Sequence, residues 1–381
     1  MLAALLAIGC ANIFSASLMK GSTGYLLRYV LFSAVGLAAA QIIRRVGYKR
    51  LTDFNLLFWS GIILVLLLGA VFLWPPNNGA RRWIYLPGLS LQPSEFAKLF
   101  VIMLSAKILG SVMRYKKSVS LIKGPGRIVF LITLVISGIV NFQPDLGTAA
   151  IIFTLMLGVF IVAGLSNKAT ASVLGVCGAV AVIMTLSSEY RRERILVWLD
   201  PWLDAQDTGY QMVQSLLAIG SGGLTGTAWG QGTSKLAYLP EPHTDFAFAV
   251  FCQENGFIGA LGLLLLFAVL GWALALIALR SKDDTGFLLA AGADFLLVGQ
   301  AVSNMAMVCG LLPVIGVPLS FISYGGSSLL VSMAALGLAL SVYDEEEREQ
   351  RRQEQEEADA YISPQQRRGN LELLPHNRWR R

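Results

Sequence analysis

Charge is scarce in this chain. Of its 381 residues only 14% are Asp, Glu, Lys or Arg and 55% are hydrophobic, whereas a soluble protein carries roughly 25% charged residues. A water-soluble globule is excluded. Histidine is scarcer still, with only His243 and His376, so a His-rich metal centre is excluded and no metal ligands are assigned. The four cysteines, Cys10, Cys177, Cys252 and Cys309, stand singly in apolar or small-residue runs without C-x-x-C spacing. Neither a disulfide nor a zinc site is expected from them; buried, inert thiols are. No internal repeat is visible.

What the chain has in quantity is apolar runs of about 17 to 23 residues, each long enough to cross a hydrocarbon core of roughly 30 Å as a helix. Backbone polar groups in lipid must be satisfied internally, so an all-α polytopic membrane protein is expected. Ten spans are predicted, at residues 2–18, 26–43, 54–74, 95–112, 128–142, 147–164, 169–186, 246–279, 286–309 and 327–343. The eighth is long, with a candidate break at Gly256. Residues 1–343 then form a ten-helix transmembrane domain that includes one large extracellular loop, 187–245. Residues 344–381 form a charged cytoplasmic tail, expected to start as a solvated helix extension and fade into disorder.

Lys and Arg mark alternate loops. Arg44, Arg45, Lys49 and Arg50, then Arg114, Lys116, Lys117, Lys123 and Arg127, then Lys168, Arg280 and Lys282 fall on one side. Positive-inside bias makes that side, with both termini, cytoplasmic. The chain is expected to lie in the cytoplasmic membrane as a multi-pass protein, in contact with lipid and with no nucleic-acid partner. Two basic clusters break the rule: Arg81 with Arg82, and Arg191, Arg192 and Arg194. They are candidates to bind an anion outside the membrane. Ser15-Ala16-Ser17 resembles a signal-peptide cleavage site, but no basic segment precedes the first span. That span is read as retained, with an upstream start codon as the better account of its abrupt beginning.

In Tyr238-Leu239-Pro240-Glu241-Pro242-His243-Thr244-Asp245-Phe246 a carboxylate sits where the long loop re-enters apolar sequence. Such a charge needs water, a partner or a substrate, because placing it at the bilayer centre costs several kcal/mol. Thr244 and Asp245 fit either a helix N-cap or a reactive carboxylate. At about 100° per residue, Ala249, Cys252 and Gly256 share a face with Asp245 while Glu254 points nearly opposite. Acid/base pairing of Glu254 with Asp245 is therefore not expected.

In Gln92-Pro93-Ser94-Glu95-Phe96-Ala97-Lys98-Leu99, Pro93 suits a first helical turn and Glu95 can pair with Lys98 at i,i+3. A structural ion pair and a phosphate contact by Lys98, oriented by Glu95, both stay open. Gly79-Ala80-Arg81-Arg82-Trp83-Ile84-Tyr85 reads as interfacial anchoring or as part of an anion site. Asp145, in the tight turn Gln143-Pro144-Asp145-Leu146-Gly147-Thr148, suits a helix cap. Asp294, Gln300 and Asn304, inside the ninth span, are expected to hydrogen-bond to neighbouring helices. Tyr190-Arg191-Arg192-Glu193-Arg194 is a solvated loop face or a bidentate phosphate site. Gly220-Ser221-Gly222-Gly223 and the stretch from Pro313 to Ser328 are expected to be irregular or re-entrant, which at membrane depth is tolerated only beside a cavity.

Five motifs, in this order, resemble the SEDS family of bacterial cell-wall polymerases. They are Gln92-Pro93-Ser94-Glu95 with Lys98; Gln143-Pro144-Asp145-Leu146-Gly147-Thr148; Gly209-Tyr210-Gln211 with Gln214-Ser215; Pro240-Glu241-Pro242-His243-Thr244-Asp245-Phe246; and Ser323-Tyr324-Gly325-Gly326-Ser327-Ser328. Together they cover nearly the whole chain. The resemblance implies a peptidoglycan glycosyltransferase that polymerises lipid II at the outer face of the cytoplasmic membrane. It matches Asp245 to the family's essential aspartate in the long extracellular loop. It implies Lys98, Glu95 and Asp145 around a cavity, with His243, Ser323 and Gly325 as further substrate contacts and Arg81, Arg82 and Trp83 at the rim.

Lys235 to Pro242 and Tyr190 to Arg194 look more like the division-type FtsW subfamily, and Pro313 to Pro318 more like the elongation-type RodA. The division type is favoured, and with it septal wall synthesis. The implied partners are a class B penicillin-binding protein, a transpeptidase, and other divisome proteins; a divalent cation, Mg or Mn, is the one cofactor to consider. Asp245 would then be the general base, and Arg191, Arg192, Arg194 and Lys98 the cations for a departing pyrophosphate. A lipid II flippase and a glycan ligase of the O-antigen type are the rival readings. The family usually has two acidic residues where this chain has Gln253-Glu254, and Pro where Ser320 and Ala205 stand, so no role is carried to the first acid of that pair.

Overall fold

The structure, a computed structural model, describes residues 1–18, 24–76, 79–86, 89–186, 189–230, 232 and 243–361. Among these the elements run α1 Leu2–Leu18, α2 Gly24–Val46, α3 Tyr48–Leu51, α4 Phe54–Ala70, β1 Ile84–Leu86, β2 Leu89–Leu91, α5 Pro93–Arg114, α6 Gly126–Phe142 and α7 Leu146–Val162. They continue with α8 Asn167–Leu186, α9 Glu189–Leu199, α10 Tyr210–Gly222, α11 Ala247–Arg280, α12 Asp284–Asp294, α13 Gln300–Val308 and α14 Gly326–Tyr361. Each predicted span coincides with a helix, the ninth being α12 and α13 joined through a π turn at Phe295–Gly299. Among the described residues six helical stretches have the length and apolarity to cross a membrane, and Leu2–Ser17, Gly126–Phe142 and Leu146–Val162 are shorter apolar helices. This is an all-α, multi-pass membrane fold.

At its centre stands α5, against which α4, α6, α7, α12 and α14 pack. Ala97, Val101, Ala106 and Leu109 on α5 are fully buried. Lipid tails are as apolar as leucine, so these contacts are held by close packing rather than by a hydrophobic drive. The longest pairing, α2 with α14, is close enough at Gly337 that a Cβ there would meet the Ala40 carbonyl oxygen at 2.7 Å.

The break in α11 falls at Gly256, with φ 63° and ψ −167°. Here the chain that follows α10 crosses α11, Phe257 and Ile258 donating to the carbonyls of Gly223 and Leu224 at 2.9 and 3.1 Å. A Cβ on Gly256 would stand 2.4 Å from the Gly226 nitrogen. Both the left-handed backbone and the crossing demand glycine.

Three expectations need correction. The long loop is not irregular around Gly220: α9 and α10 fold there, and α10 buries Met212, Val213 and Ala218. Of its glycines, Gly222 serves close packing, since a Cβ there would meet the Cys252 carbonyl oxygen at 2.3 Å, and Gly223 ends α10 with φ 54°. The segment 79–85 is more than an anchor; its end enters an antiparallel hairpin whose strands, Ile84–Leu86 and Leu89–Leu91, pair Ile84 with Leu91 and Leu86 with Leu89. All four cysteines are free, but only Cys252 is buried, Cys10 is partly buried, and Cys177 and Cys309 are exposed. An apolar neighbourhood in sequence cannot tell a protein interior from a lipid-facing surface.

At the end of the bundle remote from the α5 N-terminus, ion pairs gather. Arg44 holds Asp344 through two bonds of 2.6 and 2.8 Å, and Lys49 reaches Glu345 and Glu349 at 2.9 and 2.8 Å. Arg114 pairs with Asp283, and the Lys282 N–H donates to the buried Glu346 at 2.8 Å. These contacts carry α14 past the last apolar turn and out to Tyr361.

Candidate active site

At the opposite end, the N-termini of α5, α11 and α14 converge on a cavity of about 460 Å³. The wall takes Gln92 and Glu95 from the start of α5, His243, Thr244 and Asp245 from the turn before α11, and Gly325, Gly326 and Ser328 from the start of α14. Arg82, Trp83 and Tyr85 enter from the hairpin, and Gly316 and Pro318 from the segment after α13. Three helix N-termini at one cavity concentrate positive dipole ends and unsatisfied N–H groups, an arrangement suited to anions.

Asp245 is not the α11 N-cap. That position is Phe246, whose side chain makes no cap bond. The residue is fixed instead by its backbone, whose carbonyl accepts from Asn304 Nδ2 at 2.8 Å, while Phe246 behind it is buried. One carboxylate oxygen lies beside Gly316, where a Cβ would be 3.5 Å away. The cap reading of Asp245 falls, and a carboxylate on a cavity wall is left. His243 is anchored next to it: its carbonyl accepts from the Tyr324 N–H at 2.7 Å, and its ring lies 4.5 Å from Tyr25 and 5.9 Å from Tyr324.

Arg82 comes from the hairpin side, and its guanidinium reaches the Pro144 carbonyl and stands 3.7 Å from Asp145. Asp145 is buried. It caps α7 by accepting from the Thr148 N–H at 3.3 Å and also accepts from Gln92 Nε2 at 3.2 Å. Its place is thus behind the wall, holding two wall residues. Arg82 Nε is buried without a hydrogen-bond partner among the described residues. A cation with an unused donor at a cavity is what an anionic ligand requires.

Lys98 does not meet the cavity. It is fully buried one turn below Glu95, bonded to the Glu95 carboxylate at 2.7 Å and to Gln300 Oε1 at 2.8 Å. The ion-pair reading fits it: at i,i+3 on the buried face of a central helix, Glu95 and Lys98 point the same way and meet. Ser323 also turns away: its Oγ accepts from the Leu319 N–H at 2.9 Å and shapes the turn before α14. Arg81 donates to the Phe72 carbonyl at 2.9 Å and does not line the cavity. Arg191, Arg192 and Arg194 lie on α9 rather than in an open loop. Arg192 faces Glu189 at 3.8 Å; the side chains of Arg191 and Arg194, like Lys235, Pro240, Glu241 and Pro242, are outside the described residues. Glu254 is buried away from the cavity, accepting from Ser15 at 2.5 Å and from the Gly230 N–H at 3.2 Å.

Gln92, Tyr324 and Gly316 were given no role of their own in the sequence reading, although all three line the cavity. Gln92 and Tyr324 sit in motifs quoted above, and their polar or aromatic character was the available signal. For Gly316 the signal was its place in the stretch 313–328, expected to be irregular or re-entrant and so beside a cavity if at membrane depth.

Comparison with known proteins gives the family. Residues 1–348 match the family FTSW_RODA_SPOVE, described as cell cycle protein. A probable peptidoglycan glycosyltransferase FtsW of Thioalkalivibrio sp. (strain K90mix) is 39% identical over 362 residues, covering 90% of this chain and 88% of the relative. The stage V sporulation protein E of Bacillus subtilis (strain 168) is 37% identical over 352 residues, covering 89% and 93%. Among solved structures, one described as the structural coordination of polymerization and crosslinking by a peptidoglycan synthase complex aligns with a TM-score of 0.75 at 30% identity, covering 91% of this chain and 96% of that one. The rod shape determining protein RodA of Thermus thermophilus aligns with a TM-score of 0.64 at 29% identity, covering 91% and 95%. On sequence over nearly its whole length and on the shared helical fold, this chain belongs to the FtsW/RodA/SpoVE family, the SEDS proteins.

Proposed function

We propose that this chain is a peptidoglycan glycosyltransferase that polymerises lipid II at the outer face of the cytoplasmic membrane, with Asp245 as its general base. The observation that carries the reading is that one cavity is lined by both a carboxylate, Asp245, and a guanidinium, Arg82. Polymerisation needs the 4-hydroxyl of one disaccharide to attack the anomeric carbon of another. A new glycosidic C–O bond forms, the C–O bond to pyrophosphate breaks, and undecaprenyl pyrophosphate leaves. The hydroxyl proton passes to Asp245, and a positioned base of this kind contributes about 10²–10⁴-fold. Arg82 and the helix N-termini meet the charge that develops on the leaving group, which preorganised donors in a water-poor cavity stabilise strongly. Arg82 thereby takes the part that the sequence offered to Lys98 and the α9 arginines.

A divalent cation would arrive with the pyrophosphate, and Asp245 and Glu95 are the cavity carboxylates able to touch it; its chemistry would be charge neutralisation. Among the described residues no group of three His, Cys, Asp or Glu is assembled to hold a metal ion. The division role follows the relatives named FtsW, and the elongation role is the alternative. Positive-inside bias puts both termini in the cytoplasm, so the cavity faces outward. A class B penicillin-binding protein is the proposed partner. A shallow apolar groove between α11 and α12–α13, lined by Gly271, Trp272, Ala275 and Val302, is the proposed seat of its single helix. Deleting that helix should abolish co-purification; a persisting complex would mean contacts through loops alone.

The test is glycan synthesis from lipid II by the purified chain with its class B partner. Long glycan strands are expected. A folded complex that makes none, but moves lipid II between leaflets of a vesicle, would replace the polymerase with a transporter.

A further inference from the structure

We infer that Asn304 is a positioning residue for this reaction, its amide stapling together the two chain segments that flank the Asp245 carboxylate. The inference rests on Asp245 acting as the base. Asn304 is fully buried on α13, and its Nδ2 donates both to the Asp245 carbonyl at 2.8 Å and to the Val317 carbonyl at 2.6 Å. The first bond fixes the backbone of the reactive residue. The second fixes the residue after Gly316, whose Cα faces the Asp245 carboxylate. One primary amide commits both its N–H groups to the two walls of one carboxylate.

The neighbouring turn extends the clamp. Gln300 lies at i−4, on the same face of α13. Its Nε2 donates to the Pro318 carbonyl at 3.0 Å, and its Oε1 accepts from Lys98, which is paired with Glu95 of the cavity wall. Backbone on both sides of the cavity thus hangs from two amides one helical turn apart. The π turn at Phe295–Gly299 directly precedes them. One inserted residue rotates everything that follows by about 100°, and such turns are frequent at functional sites. Here the insertion lets α12 keep its packing face while α13 presents Gln300 and Asn304 to the cavity segments. Among the described residues Asn304 Oδ1 is buried with no hydrogen-bond partner, an arrangement that stability alone disfavours. The amide is oriented for its donors, at the expense of its acceptor.

The experiment uses the full chain with its class B partner and lipid II as substrate. Asn304→Asp is nearly isosteric and sets an acceptor oxygen against two carbonyls. A displacement of about 1 Å at a reacting group costs on the order of 10²-fold, so kcat should fall by that factor while KM for lipid II stays within about threefold. Rates are taken per molecule of monodisperse protein, with thermal unfolding measured alongside. If Asn304→Asp does not yield monodisperse protein, Asn304→Ala replaces it. Asn304→Gln, which keeps both donors on a longer arm, should recover more activity than alanine. A wild-type kcat in monodisperse Asn304→Asp or Asn304→Ala, or a loss confined to KM, would overturn the positioning role. Wild type active, Asp245→Asn inactive and Asn304→Asp normal would sink this inference alone. An Asp245→Asn protein with normal polymerisation would sink the base assignment itself.

Discussion

Replacing Arg82 by glutamine separates two jobs the structure gives to one guanidinium. On one side, Arg82 is the counter-ion of Asp145 at 3.7 Å, with side-chain exposures of 33% and 3%. At an effective dielectric of about 20 that pair is worth about 4 kcal/mol before desolvation is counted. Asp145 keeps Gln92 and the Thr148 N–H after the change, so the net destabilisation should be about 1–3 kcal/mol. On the other side, Arg82 is the arginine among the described residues that lines the cavity proposed to release pyrophosphate, with an Nε that has no hydrogen-bond partner among those residues. Loss of one such preorganised donor lowers kcat by about 10²–10³-fold. The two effects are resolved by Arg82→Gln combined with Asp145→Asn, which removes the stranded carboxylate yet keeps an oxygen for the Thr148 cap. Thermal unfolding should then recover while polymerisation from lipid II should not. Recovery of polymerisation in the double variant would mean that Arg82 serves only Asp145, and the leaving-group assignment would be refuted.

Two further outcomes follow from the packing. Lys98→Met should lower stability by about 3–5 kcal/mol, because removing one partner of a buried pair strands the Glu95 charge; an unchanged thermal midpoint would contradict the ion-pair geometry. Gly256→Ala should abolish monodisperse protein, through a left-handed φ of 63° and a collision with the Gly226 nitrogen, whereas Gly262→Ala, with open space around its Cβ, should be tolerated. Size-exclusion profiles in detergent decide it, and equal behaviour of the two would mean the crossing at Gly256 is not as drawn.

The spans and Asp245 were readable because their signals are local. An apolar run announces a membrane helix by length alone, and a carboxylate at the edge of such a run stands out by its cost. The residues that organise the cavity were not readable because their partners are far along the chain. Lys98 is closed off by Gln300, 202 positions away, and the Gln92 bond to Asp145 spans 53. Nothing within eight residues of Lys98 could show that its ammonium points inward rather than to a phosphate. The hairpin at 84–91 was hidden by its brevity, and α9 and α10 by arginines and glycines that read as loop. Asn304 was expected to bond to a neighbouring helix; it bonds instead to carbonyls of the segments before α11 and after α13, 59 and 13 positions away.

The central claim is tested most directly by lipid II polymerisation with Asp245→Asn against wild type, both purified in complex with the class B partner. The substitution keeps the shape and removes the base, and Phe246, Asn304 and the backbone should hold the turn in place. The account predicts an intact complex whose polymerisation rate falls by about 10²–10⁴-fold. Normal glycan strands from Asp245→Asn would contradict it.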